Sequence, residues 1–197
     1  MTNDRRSALL IVDVQNDFCP GGALPVPHGD RVVPVLNRYV SDAVEHGMPV
    51  YASRDWHPAV TRHFNAYGGE WSPHCVQNTE GGRFHADLQL PSSAIVVSKG
   101  QDPDKPGYSA LEGYTDDGKT LLADLRARHV DHLYVGGLAT DYCVRATAIE
   151  AMAKGFSTIV LIDAVRAVDV EPRDGTNALQ DMAEAGAALQ TAAGLHS

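Results

Sequence analysis

Positive charge is scarce in this chain: 16 Lys and Arg stand against 25 Asp and Glu, a formal net charge of −9 over 197 residues. That balance argues against nucleic acid or an anionic membrane as partner and favours a soluble protein. Cysteine is scarcer still. Cys19, Cys75 and Cys143 are odd in number, widely spaced and without a Cys-x-x-Cys pair. A disulfide framework is thereby excluded, and a reducing, cytoplasmic compartment is expected. No apolar run approaches the length of a membrane span. Residues 1–7 lead into an apolar strand without the pattern of a cleaved leader. Internal repeats, linkers and low-complexity tracts are missing as well. One domain over residues 1–197 is therefore expected, with 44% hydrophobic residues to fill its core.

What is present alternates. Apolar runs at Ala8–Val14, Pro49–Ser53, Ala94–Ser98, Leu133–Val135 and Ser157–Ile162 read as buried strands, with Ala187–Gln190 as a short edge strand. Helical spacing falls between them at Arg31–Glu45, Thr120–Arg128, Thr140–Lys154 and Asp174–Ala185, and Gly47 suits the position just past the first helix. This order predicts an α/β fold: a doubly wound, mainly parallel six-stranded sheet with helices on both faces. Two irregular stretches, 54–92 and 100–119, are longer than connections need, and loops of that length carry function more often than not. Gly136 and Gly137 end a strand but lack the Gly-x-Gly-x-x-Gly spacing of a dinucleotide site.

In such sheets chemistry gathers beyond the carboxyl ends of the strands. Asp13 ends the first apolar run, Lys99 follows the third, and Cys143 lies just beyond the fourth. Thr140 or Asp141 is expected to cap the helix there, which would put Cys143 in a first helical turn that favours a thiolate. A buried ion pair would account for Asp13 and Lys99 taken singly. With the cysteine beside them they read as base, cation and nucleophile of one crevice. A second group, Asp55 and His57 followed by His63 and His74, has the ligand types and spacing of a mononuclear metal site. His85 is expected to support or cap rather than ligate. His28, His46, His129, His132 and His196 are expected at the surface, and Cys19 and Cys75 as inert core residues. Phe18, Trp71, Tyr108 and Tyr142 are expected to wall a pocket for a flat ring.

The ordered set Val12-Asp-Val-Gln-Asn-Asp-Phe18, Arg54-Asp-Trp-His-Pro58, His63-Phe64, Trp71-Ser-Pro-His-Cys-Val76, Ser98-Lys-Gly100 and Gly136-Gly-Leu-Ala-Thr-Asp-Tyr-Cys-Val144 resembles the nicotinamidase/pyrazinamidase family of the isochorismatase-like cysteine hydrolases. The resemblance covers roughly residues 8–165. It implies hydrolysis of nicotinamide to nicotinate and ammonia through a thioester, in NAD salvage, with pyrazinamide as an analogue substrate. It implies a catalytic triad of Asp13, Lys99 and Cys143, and one divalent ion (zinc, iron or manganese) on Asp55, His57, His63 and His74. It further implies a cis peptide between Leu138 and Ala139 that aims the N–H groups of Ala139 and Cys143 at an oxyanion. Tyr142 stands where some relatives have histidine. The implied partner is a small amide, with homo-oligomer formation left open. The competing readings are another small-amide or carbamoyl hydrolase of the same fold, a hydrolase using metal-bound water, and a non-catalytic metal- or small-molecule-binding module.

Overall fold

The computed structural model describes residues 6–191; His196, expected at the surface, lies outside them. Seven strands form one sheet in the order β4-β3-β2-β1-β5-β6-β7. They are β1 (Ser7–Val12), β2 (Val50–Asp55), β3 (Ile95–Lys99), β4 (Tyr114–Thr115), β5 (His132–Leu138), β6 (Ser157–Arg166) and β7 (Ala188–Gln190). All neighbours run parallel except β3 and β4. Among the described residues there are four α-helices: α1 (Val32–Glu45), α2 (Leu121–Ala127), α3 (Arg145–Ala153) and α4 (Asp174–Glu184).

The sheet has seven strands rather than the six expected. The extra one, β4, is two residues within the loop that follows β3, paired antiparallel to Val97 and Ser98. Two residues are too few for alternating hydrophobicity to register, so no periodicity could have announced it.

The alternation of β1 explains its unbroken apolar character. Leu9 and Ile11 pack with Leu36, Val40 and Ala43 of α1 on one face. Ala8, Leu10 and Val12 pack with Leu121, Leu125 and Ala148 of α2 and α3 on the other. A strand covered on both sides has no polar face. α1 buries Val32, Val33, Leu36, Tyr39, Val40 and Ala43. It ends where Gly47 takes a left-handed φ of 68° and Met48 N–H donates back to Ala43 O at 2.8 Å, the closing bond of a Schellman turn.

Behind the sheet, the fully buried Tyr51 donates its hydroxyl to Asp124 Oδ2 at 2.7 Å, and Arg128 Nε donates to the same oxygen at 2.7 Å. Tyr51→Phe is expected to lower stability by about 2 kcal/mol, the worth of a hydrogen bond to a charged group. Urea unfolding should show a lower midpoint at unchanged slope.

The strand order reverses between β1 and β5, because the chain leaves β1 for β2 on one side and returns to β5 on the other. A crevice opens at such a switch point, outside the carboxyl ends of the strands. Residues 13, 55, 99 and 139–143 all lie there.

Candidate active site

β1 stops at Val12 because Asp13 turns to a left-handed φ of 49°. Its N–H is taken by Ser53 O at 3.1 Å and its Oδ1 accepts from Ser53 Oγ at 2.7 Å. Asp55 and Lys99 are the last residues of β2 and β3 and are paired partners across the ladder. Their side chains therefore leave the sheet together. Lys99 Nζ stands 2.8 Å from Asp13 Oδ2, 2.5 Å from Asp55 Oδ1, 3.1 Å from Gly107 O and 3.3 Å from Cys143 Sγ. All four side chains are buried.

Electrostatics in this dry cluster follow from which group has a partner. Burial works against the Lys99 ammonium, but the Asp13 and Asp55 carboxylates outweigh it and push its pKa well above the usual lysine value. Burial also works against the Asp55 carboxylate; the Lys99 charge prevails and holds it below the usual range. Asp13 goes the other way, raised by burial with Asp55 adding to it and Lys99 opposing.

Cys143 departs from expectation. Burial pushes its thiol well above the ordinary value, and Asp13 and Asp55 add to this against the pull of Lys99. The site therefore favours the thiol over a standing thiolate, with Lys99 Nζ 3.3 Å from the sulfur. The local backbone differs from the expected helix start as well. Residues 140–144 form a π-turn, with Val144 N–H donating to Ala139 O at 3.1 Å, and α3 begins only at Arg145. Neither Thr140 nor Asp141 caps it; the Asp141 carboxylate is spent on the N–H groups of Val168 and Asp169. The peptide bond between Leu138 and Ala139 is cis.

The histidines expected to bind metal come together. One ring nitrogen from each of His57, His63 and His74 lies within 4.8 Å of the others. Asp55 Oδ2, the oxygen not facing Lys99, is 3.6 Å from His57 Nε2 and 4.0 Å from His74 Nε2. His57 Nδ1 donates to Gly100 O at 2.9 Å and His74 Nδ1 to Ser72 O at 2.7 Å. Each ring thus turns its Nε2 inward, toward Asp55. Burial lowers the pKa of His74, and burial with the neighbouring His57 and His74 lowers His63 to about 4, so these rings are neutral at pH 7. His57 Nε2 is buried without a hydrogen-bond partner, an arrangement that costs stability unless something electrophilic takes the lone pair. Three imidazoles and a carboxylate fit a divalent ion of the zinc, iron or manganese type.

Gly100 shapes this group. At φ 67°, a Cβ there would meet His57 Cε1 at 2.5 Å. Gly100→Ala is expected to swing the ring and weaken divalent-ion affinity about tenfold, the scale seen when a ligand's orienting contact is disturbed. Competition with a chromophoric chelator measures it.

A small cavity of about 40 Å³ opens between the two groups. Phe18, Trp71, Tyr108 and Tyr142 line it, as expected, with Ala139, Cys143, Asp55, His63 and His74. Trp71 Nε1 donates to Tyr108 Oη at 2.9 Å, and the Trp71 and Tyr142 rings meet edge to face at 5.0 Å. Leu24, Val26 and Val168 also line it and escaped the sequence reading. Isolated aliphatic residues in loops look like any core residue, although Val168 follows the carboxyl end of β6, where site-lining loops belong.

The remaining residues fall outside the cavity. His85 Nδ1 accepts from Asp87 N–H at 3.2 Å, a turn cap. His28, His46 and His129 are exposed and His132 is half-buried. Cys19 and Cys75 are buried free thiols; burial, with Asp30 adding, pushes Cys19 up to about 11.

An isochorismatase-domain family model matches residues 7–194. The chain is 42% identical to the nicotinamidase of Escherichia coli, over 94% of this chain and 95% of that protein. It is 40% identical to the nicotinamidase/pyrazinamidase of Mycobacterium tuberculosis, over 83% and 88%. Among solved structures it is similar to the pyrazinamidase of Pyrococcus horikoshii in complex with zinc, at 44% identity and a TM-score of 0.87, over 94% and 99%.

Proposed function

The chain belongs to the isochorismatase family, and on that footing we propose that it is an amide hydrolase converting nicotinamide to nicotinate and ammonia, with pyrazinamide as an analogue substrate. The observation that carries this reading is the position of Lys99 Nζ, 2.8 Å from Asp13 and 3.3 Å from Cys143, beside a cavity walled by aromatic rings. The similarity to nicotinamidases and a pyrazinamidase over most of the chain supports the substrate.

Cys143 is the nucleophile and Asp13 its base. The thiol proton moves to Asp13 as sulfur forms a bond to the carboxamide carbon, and the carbonyl electrons pass to oxygen. Lys99 offsets the negative charge that collects on sulfur and carboxylate. The N–H groups of Ala139 and Cys143 take the oxyanion; one such donor is worth about 3–4 kcal/mol in comparable sites. The C–N bond then breaks, and Asp13 returns its proton to nitrogen, releasing ammonia and leaving a thioester on Cys143. Asp13 next takes a proton from water, whose oxygen attacks the thioester carbon. The C–S bond breaks, the thiol recovers that proton, and nicotinic acid leaves, losing its own proton to solvent as nicotinate.

Asp55, His57, His63 and His74 would hold one divalent ion, zinc, iron or manganese, which would supply a Lewis-acidic point beside the ring pocket. Phe18, Trp71, Tyr108 and Tyr142 enclose the ring, and small displacements of it are costly in rate. We assign the reaction to NAD salvage on the strength of its proposed substrate, to the cytoplasm on three unpaired buried cysteines, and to one domain on a family match over residues 7–194. Among the described residues no helix is long and apolar enough to cross a membrane.

Ammonia release from nicotinamide and pyrazinamide tests the assignment. Chelation is expected to raise KM or abolish activity, and added divalent ions to restore it. Unchanged kinetics in verified metal-free protein would remove the ion from the scheme.

A further inference from the structure

The segment between β6 and α4, residues 167–173, has no regular structure, yet it supplies Val168 to the wall of the cavity. Two consecutive N–H groups of this segment are held by a single side chain. Asp141 Oδ1 accepts from Val168 at 3.0 Å and Asp141 Oδ2 from Asp169 at 2.8 Å. Asp141 is itself in the π-turn, next to Tyr142 of the same cavity and two residues before Cys143. Asp169 in turn ties the segment to α4, its Oδ1 accepting from Gly175 N–H at 2.7 Å.

We propose that Asp141 is a positioning residue that sets the width of the ring pocket: its carboxylate clamps residues 168 and 169 onto the nucleophile's turn and so presses Val168 against the space beside Cys143. The argument is one of attachment. A valine side chain in a half-buried loop has no directional bond of its own, so its place depends on the backbone that carries it. That backbone is left-handed at Asp169, φ 52°, and again at Arg173, φ 83°, conformations that non-glycine residues keep only when surrounding bonds enforce them. A carboxylate receiving two backbone N–H groups is such a restraint, and bonds to an ionised acceptor are about twice as strong as neutral ones. The geometry also explains why this acid does not cap α3: both of its oxygens face across the crevice rather than along the helix. In a cavity of about 40 Å³ a displaced valine alters which rings fit.

The proposal rests on the amidase reading for its kinetic consequence but not for its structural one, and the experiment separates the two. Cys143 in intact wild type, Asp141→Asn and Asp141→Ala is alkylated at one pH with iodoacetamide and with N-phenylmaleimide, and the modified peptide is quantified by mass spectrometry. The ratio of the two rates cancels thiol ionisation and reports pocket width alone. Thermal melts accompany each variant. The ratio of bulky to small reagent is expected to rise about tenfold in Asp141→Ala, the scale of one lost aliphatic contact in a pocket, and by less in Asp141→Asn, which keeps one acceptor oxygen. With nicotinamide, KM should rise about tenfold while kcat stays within about threefold, because ground and transition states lose the same contact. Preference for nicotinamide over its 5-methyl derivative should fall. An unchanged reagent ratio in folded Asp141→Ala overturns the clamp, whatever the kinetics. A raised ratio in a protein that releases no ammonia from nicotinamide upholds the clamp and sinks the substrate assignment instead.

Discussion

Cys143→Ala is expected to abolish ammonia release from nicotinamide, by a factor on the order of 10⁴ or more, as losses of a covalent nucleophile do. Fold and metal content should be unchanged, since the substitution removes one sulfur and leaves the His57, His63 and His74 group intact. No other thiol can stand in. Cys19 and Cys75 do not line the cavity, and burial raises both, Cys75 well above its ordinary value with Asp55 and Asp17 adding to the effect. Because burial raises the Cys143 thiol, its reactivity should depend on Asp13 taking the proton at the moment of attack. Asp13→Asn should therefore lose turnover nearly as completely, in a protein whose cysteine is present. A Cys143→Ala protein with even a tenth of wild-type activity would defeat the covalent route. Ammonia release, circular dichroism and metal analysis on the same samples decide it.

Lys99→Met should cost both stability and turnover. The ammonium is buried and holds Asp13 Oδ2 at 2.8 Å and Asp55 Oδ1 at 2.5 Å. Removing one member of a buried charged group typically costs about 3–5 kcal/mol, because the others are left without compensation. Here two carboxylates would remain in the same dry space, and one would have to take up a proton at neutral pH. If that is Asp13, the base is already occupied before the thiol can use it. Lys99→Arg should not rescue, since a planar guanidinium does not fit a point-charge site packed against Gly107 O and Cys143. Adding Asp55→Asn to Lys99→Met should recover part of the stability, because it removes the like charge, but none of the turnover. Urea midpoints for the two variants measure the first effect and ammonia release the second. A single Lys99→Met variant as stable as wild type would contradict the charge balance described above.

Much of the fold could be read directly. The uninterrupted apolar run of β1, the 3.6-residue spacing of α1 and the glycine at its end are local patterns, each with one structural meaning. Family membership was legible in the same way, because motifs such as Val12-Asp-Val-Gln-Asn-Asp-Phe18 stand in a fixed order along the chain. Less was readable where neighbours far apart in sequence compete for one group. Asp141 has the residue type of a helix cap, but two N–H groups from residues 168 and 169 claim its carboxylate. Cys143 has the position of an activated thiol, but the π-turn moves the helix start past it, and burial with two carboxylates outweighs Lys99. Asp55 read as a metal ligand alone, whereas its two oxygens face different groups, one toward Lys99 and one toward the histidines.

By itself, then, the sequence determined an alternating α/β chain of one family and the residue types that could carry its chemistry. Hydrophobic periodicity and ordered motifs act over a few residues and survive without contacts. The tertiary structure alone decided the burial that raises the Cys143 thiol, the division of Asp55 between two groups, and the aliphatic wall of Leu24, Val26 and Val168. Burial and distance set those properties, and both depend on how the ends of β1, β2, β3 and β5 converge.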